Sequence, residues 1–424
     1  MIETLKRRPV FYGWWIVAAT TLISVYASGF LFSFTAIFEP VAGEFNWSHA
    51  QISLAASLRG MESGIFAPLV GLVVNRWGPR RMAFCGALVL MAGLFVLSRV
   101  NSLATFYFSF IIIAVGTSTL APTVLLTSVS NWFNRKMAMA SAITASGFAL
   151  GGLLIPVITA LITWLGWRDT MLVFAGGAVV FLIPLTLVLR HRPEQYGHLP
   201  DGGNAERAAA KSVGETETNR ADIISDIPAG PTSWRPFWII AIAGSCQFFI
   251  ISALMTHVMP FLSTINVTRT TASFIASAAP VSSIIGRLGF AWLGERIGSR
   301  QVAVISYTCF AIGFFIFGLL ALTQQLWLVL PFLLVIALGW GGGSLSRITL
   351  IRQYYGRTQF GKMFGFAMGF SVFGIVLGAP LAGWIYDTWA TYQWAWFALA
   401  VISALAAIMF RTMLPAPATK KDTP

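Results

Sequence analysis

The sequence predicts an all-α membrane protein, with twelve transmembrane helices in two pseudo-symmetric six-helix halves. Three observations carry that prediction. The 424 residues are 57% hydrophobic and 10% charged, whereas soluble domains carry about 25% charged residues. Apolar segments of about 20 residues, the length that crosses a bilayer, recur twelve times along the chain. Short sequences from the first half also return in the second half at a near-constant offset.

The apolar segments fall at residues 12–38, 51–74, 82–98, 103–130, 138–164, 170–189, 236–262, 270–293, 301–322, 327–350, 362–386 and 391–411. Between the sixth and seventh lies the one long polar stretch, which begins RHRPEQYGHLPDGG. Its composition reads as a linker, disordered in its middle. The organisation is therefore residues 1–190 as an N-terminal half, 191–235 as a cytoplasmic linker, and 236–424 as a C-terminal half with a short tail. MIETLKRRP leads into the first apolar segment without an A-x-A cleavage site, so helix 1 is expected to act as its own insertion signal.

The 28 cations set the orientation. With the N-terminus inside, 23 of them fall on the cytoplasmic side, including Arg76, Arg80, Arg81, Arg190, Arg296, Arg300, Arg347 and Arg352. Arg99, Arg168 and Arg269 fall outside, and Arg59 and Arg287 lie within spans. This asymmetry predicts both termini in the cytoplasm and the protein in the cytoplasmic membrane. It also explains the net charge of +13 as topology, with attraction to anionic lipid as a by-product, and leaves nucleic-acid binding without support.

Cys85, Cys246 and Cys309 sit in separate apolar segments with no redox or metal spacing, and read as packing residues. The glycine-rich GWGGGS at 339–344 lacks the G-K-S/T of a phosphate loop, and suggests instead close contact or bending of helix 10. No nucleophile–base pair or metal cluster is apparent. An enzyme is not expected, and neither is a cofactor.

The internal repeat has two parts. GLVVNRWGPRR after span 2 aligns with FAWLGERIGSR after span 8, placing Arg76 on Arg296, Gly78 on Gly298 and Arg80 on Arg300, an offset of 220. In spans 5 and 11, Gly147 aligns with Gly374 and Gly151 with Gly378. Duplicated halves of this kind place a substrate site between them, near the bilayer midplane.

The loop NRWGPRR resembles the D-R-x-G-R-R loop after helix 2 of the major facilitator superfamily. Asn75 replaces the usual acid, while the second copy keeps Glu295. Within that superfamily the chain is similar to the monocarboxylate transporter group and its bacterial oxalate/formate-type relatives. The residues carrying this resemblance are YGWWIVA in helix 1, NWF-x-R-K between helices 4 and 5, GWR after helix 5, RPEQYGHLPDG after helix 6, HVMPFL ending helix 7 and the arginine of IIGRLGFAWLGERIG in helix 8. The resemblance implies a membrane transporter whose loop residues Arg76, Gly78, Arg80, Glu295, Arg296 and Gly298 control its conformation. It also implies that helices 1, 4, 7 and 10 line the cavity, with candidate liners Tyr26, Phe30, Tyr107, Thr119, Thr123, Gln247 and Trp340.

Charges inside the spans call for a function. A charge at mid-bilayer costs about 2.5–3.5 kcal/mol on insertion scales. Arg287 lies nine residues before Arg296, about 13 Å from the inner surface. No acid stands at its i±4 positions, Ser283 and Ala291. Its planar fork matches a carboxylate. The alternative is satisfaction by backbone carbonyls or by an acid from another helix. The resemblance implies anion binding at Arg287, puts Ser283 where the family often has a proton-coupling aspartate, and puts Phe32 near an essential lysine of helix 1. Oxalate-type relatives carry a further cation in helix 11. Helix 11 here has none beyond its cytoplasmic end, so one central cation points to a monoanion.

Arg59 and Glu62 share a helix face in the outer half of span 2. They read either as a self-neutralising packing or gate pair, or as a site where Glu62 takes up a coupling proton. His257 ends helix 7 near the outside, either as a hydrogen-bonding interfacial histidine or as a proton or substrate contact at the outer gate.

The expectation is a secondary transporter of a small organic anion, a monocarboxylate coupled to protons. Its partners are that anion, the proton and the lipid bilayer, and a monomer is the expected state. Transport of a larger aromatic or vitamin-like solute, export, and a non-transporting membrane sensor remain as alternatives.

Overall fold

The computed structural model describes residues 11–61, 66, 70, 73–74, 77–133, 136–190, 193–196 and 234–413. Among these residues the regular structure is entirely helical. The membrane helices are α1 (Tyr12–Phe45), α2 (beginning His49–Met61), α3 (Pro79–Ser98), α4 (Leu103–Trp132), α5 (Met139–Leu165), α6 (Trp167–Val188), α7 (Trp234–Thr264), α8 (Arg269–Ile297), α9 (Ser299–Thr323), α10 (Leu326–Gly356), α11 (Gln359–Trp389) and α12 (Gln393–Arg411). Eleven of them are long and apolar enough to cross a membrane. The exception, α2, runs into undescribed residues after Met61.

Several helices outrun their apolar segments. α1 has 34 residues, about 51 Å at 1.5 Å per residue, against a hydrocarbon core of about 30 Å. The extra turns cross the headgroup region, where helical hydrogen bonding continues without apolar side chains. The same effect shortens the connection between α10 and α11. Helical geometry there is interrupted at Gly356 (φ 65°, ψ 179°), a positive φ that glycine adopts without a Cβ penalty.

The internal repeat is visible in the backbone. Gly78 (φ 78°, ψ 153°) and Gly298 (φ 83°, ψ 152°) make the same turn before α3 and α9. Gly147 and Gly151 of α5 abut the backbone of α1 at Thr21, Ser28 and Gly29, while Gly374 and Gly378 of α11 abut that of α7 at Ser245 and Phe249. Small residues allow such close helix approach in membranes. Pro40 in α1 and Pro260 in α7 obey the same offset of 220.

The glycines of α10 also serve contact. Gly339 meets Phe310 of α9, Gly341 meets Gly286 and the Arg287 backbone of α8, Gly342 meets Ser306 of α9 and Phe290 of α8, and Gly343 meets Gln247 of α7. The helix keeps helical φ/ψ through them, and contact, one of the two expectations for GWGGGS, is what they make. α10 is the hub of its half.

Residues 190 and 234 lie at one end of the bundle, the linker end. The opposite, far end carries the α1–α2 and α7–α8 connections. The described polar and aromatic contacts between the halves lie at mid-depth and towards the far end. They are Phe32 with Trp340, Thr35 with Met259, Arg269 with Ala36, Phe38 and Ser53 with His257, Ser57 with Val376, and His49 with Asp387, Tyr386 and Tyr392. The molecule is closed at its far end.

Candidate functional site

At mid-depth, where α1 and α5 face α10, three rings meet. Phe32 packs edge-on against Phe148 of α5 at 5.4 Å and against Trp340 of α10 at 6.3 Å. Gln247 of α7 donates from Nε2 to the Trp340 carbonyl at 3.4 Å, and its Oε1 is buried without a partner. Arg287 stands on the adjacent helix. Pro280 of α8 packs against Gly152 of α5. Arg287, seven residues later, shares that face of α8, which therefore looks towards the N-terminal half. Its Nε is buried and unpartnered. Phe32 thus meets Trp340, Gln247 bonds the Trp340 carbonyl, and the Arg287 backbone abuts Gly341, next to Trp340.

A residue that sequence reasoning missed joins them. Arg347, counted among the cytoplasmic cations, is 8% exposed. It packs beside Gly244 of α7 with its guanidinium 4.9 Å from the Phe248 ring, and its Nε and Nη1 are unpartnered. Arg347 is thus a buried cation of the C-terminal half, in addition to Arg287 with its buried Nε. Among the described residues neither meets a carboxylate. The expectation of one central cation is corrected: α10 extends to Gly356, nine residues beyond Arg347, which puts this arginine about 13 Å inside the helix end. The spacing matches that of Arg287 before Arg296, and that was the signal available.

The remaining predicted liners serve helix seams. Tyr26 donates to the Phe174 carbonyl of α6 and stacks on Phe174 at 4.7 Å. Thr119 bonds the Gly116 carbonyl at 2.8 Å and abuts Gly86 of α3. Ser283 donates to the Pro280 carbonyl at 2.6 Å, within its own helix. Phe30 is fully buried against Phe110 and Phe174, and Tyr107 donates to the Gln51 carbonyl at 2.9 Å. The hydroxyls of Tyr26, Thr119, Ser283 and Tyr107 each donate to a backbone carbonyl. Glu62 and Arg76, and the side chains of Arg59, Thr123 and Glu295, lie outside the described residues.

At the far end the two halves are fastened together. His257 is completely buried, with Nε2 2.9 Å from both the Ala379 carbonyl of α11 and Ser53 Oγ of α2, and Nδ1 3.1 Å from the Tyr392 hydroxyl. A carbonyl only accepts, so Nε2 carries the proton and Nδ1 accepts from Tyr392. This satisfies the neutral ring, and the imidazole fastens α2 to three elements of the other half. Beside it, the Asp387 carboxylate accepts from the backbone N–H groups of His49 and Ala50, each at 2.9 Å, and meets His49 Nδ1 at 3.2 Å. An acid of α11 thus caps the N-terminus of α2, where orphan donors and the helix dipole favour a negative charge.

Two sequence motifs brace the N-terminal half. In GWR, Trp167 donates to Glu44 at 2.6 Å while Arg168 bonds Glu44 at 2.7 Å and the Ser98 carbonyl at 3.0 Å, tying α1, α3 and α6. At the linker end, YGWW, NWF and RPEQY converge. Tyr12 packs on Trp132 at 5.4 Å, and the Arg190 guanidinium sits between the rings of Tyr12 and Tyr196 at 3.9 and 4.2 Å.

Known proteins agree with this architecture. A family model described as Major Facilitator Superfamily matches residues 14–267 and 240–424. The chain belongs to the major facilitator superfamily. This multi-pass membrane transporter is 23% identical to monocarboxylate transporter 12 of Mus musculus, over 97% of this chain and 89% of that one. It is 22% identical to monocarboxylate transporter 13 of Rattus norvegicus, over 90% and 84%. Its fold matches a bacterial homolog of the human lysosomal transporter Spinster in an inward-facing, occupied conformation (TM-score 0.74, 14% identity, covering 96% and 99%). It also matches a D-xylose-proton symporter (TM-score 0.72, 16% identity, covering 96% and 99%).

Proposed function

We propose that this transporter moves a small organic carboxylate, in its simplest form a monocarboxylate, across the cytoplasmic membrane by proton-coupled alternating access. The observation that carries the reading is Arg287. It is a guanidinium with a buried, unpartnered Nε on the α8 face towards the other half, and its backbone abuts Gly341, the neighbour of Trp340 in the ring set of Phe32, Phe148 and Trp340. A buried cation without a protein acid favours an anion that brings hydrogen-bond acceptors with it. The relatives named as monocarboxylate transporters support the same class.

In this reading the halves 1–190 and 236–424 rock about the cavity, with the linker end and both termini in the cytoplasm. The charge asymmetry of the sequence supports that orientation. The structure then represents the inward-facing state, its outer gate held by His257 and Asp387. The ring set favours a second reading within the same chemistry, an aromatic or vitamin-like carboxylate that stacks on Trp340.

The test is thermal stabilisation of the purified protein by a panel of aliphatic and aromatic carboxylates, vitamins and neutral solutes. Carboxylates should raise the melting temperature of the wild type and not of Arg287→Ala. Equal stabilisation of both proteins would remove Arg287 from the site.

A further inference from the structure

We propose that Arg347 forms a second anion subsite on the seam between α7 and α10, so that the solute held at Arg287 carries a second acidic group. The inference rests on the carboxylate reading above and extends it to the charge of the solute.

The seam is built for a polar ligand. Gly343 of α10 lies against Gln247 of α7, and one turn further along the same face Arg347 lies against Gly244, one turn along α7. Three polar atoms on this seam are buried and unpartnered: Gln247 Oε1, Arg347 Nε and Arg347 Nη1. No neighbouring hydroxyl accepts from Arg347 Nε or Nη1. The Tyr307 hydroxyl donates to the Ala243 carbonyl at 2.6 Å, and Ser371 Oγ donates to the Ala367 carbonyl at 2.9 Å. The Phe248 face supplies only a cation–π contact, which leaves the Nε and Nη1 donors without an acceptor. Those donors have the geometry that a carboxylate accepts.

The two arginines stand at different depths on a common scaffold. Gly341 of α10 abuts the Arg287 backbone. Arg347 is six residues further on, about 9 Å along the helix axis. A dicarboxylate is the class of solute that offers an acidic group to each guanidinium. A monocarboxylate satisfies one and leaves the other cation uncompensated.

The experiment is calorimetric titration of the purified full-length protein with short straight-chain dicarboxylates and with monocarboxylates of equal carbon number. In the wild type the best dicarboxylate should bind about tenfold or more tightly than its monocarboxylate partner, as expected for a second charge-assisted contact. Arg347→Gln should bring that ratio to near unity, and Arg347→Lys should keep part of it. Gly244→Ala, whose Cβ would press on Arg347 Cδ and Nη1 at 3.3 Å, should lower the ratio with the charge retained, which keeps the test decisive if Arg347→Gln does not fold. A wild type with no preference for dicarboxylates overturns the proposal, as does a preference that survives these changes. Arg287→Gln distinguishes the two readings: if it leaves all carboxylate binding intact, the parent reading fails, whereas an unchanged ratio in the Arg347 and Gly244 variants sinks only the second subsite.

Discussion

Replacing Asp387 by alanine should open the far end. Its carboxylate accepts two backbone N–H groups of α2 at 2.9 Å and meets His49 Nδ1 at 3.2 Å, with the His49 and Asp387 side chains 24% and 23% exposed. These contacts join the two halves, so they contribute only while the gate is closed. Loss of a helix-capping side chain costs about 0.5–2 kcal/mol. The histidine contact, partly exposed, adds less than about 1 kcal/mol. A combined bias of about 1–2 kcal/mol corresponds to about a 5–30-fold change in an equilibrium ratio. Spin labels at Asn101 and Gln325, both exposed near the far end of opposite halves, would report it by pulsed electron resonance. The long-distance population should grow in Asp387→Ala relative to wild type, and Asp387→Asn, which keeps one acceptor, should fall between. An unchanged distance distribution in the alanine variant would refute the latch.

Other expectations follow from the same contacts. Gly341→Leu drives a side chain into the backbone of Gly286 and Arg287, and should cost about 1–3 kcal/mol or more by overpacking, read as a lower melting temperature. Gly365→Ala, with nothing within 4 Å of its Cβ, should leave melting unchanged or raise it slightly. Arg168→Ala removes the Glu44 pair and the Ser98 bond; with both side chains about a third exposed, the loss should be about 0.5–1 kcal/mol, seen as a small fall in melting temperature with transport retained. Glu62→Gln should abolish proton-driven accumulation while exchange persists, and an uptake rate with wild-type pH dependence would exclude Glu62 from coupling.

The architecture was legible because bilayer length acts on every span alike. The duplicated turn at Gly78 and Gly298 was legible too, since a positive φ restricts the residue type at both places. Of the candidate site, Arg287 was visible in the sequence because its charge stood out against apolar neighbours, and the structure buries its Nε. Arg347 escaped for a local reason: the apolar run of α10 fades at residue 350, whereas the helix continues to Gly356. Arg347, three residues from that hydropathy boundary, was thus read as a surface cation. Tyr26 and Thr119 escaped in the opposite sense. Their polar atoms suggested a lining, but the hydroxyls satisfy carbonyls of α6 and α4. The latch at Asp387 has no sequence signal, because His49 and Asp387 are 338 residues apart and meet only when the halves close.

The central claim is that Arg287 anchors a carboxylate for transport. Uptake of a labelled carboxylate, chosen from the stabilising set, into proteoliposomes with an acidic exterior tests it most directly. Wild-type protein should accumulate the solute until the pH gradient is collapsed by an ionophore, and Arg287→Gln, inserted at the same density, should not exceed empty vesicles. Accumulation by the variant at the wild-type rate would contradict the account.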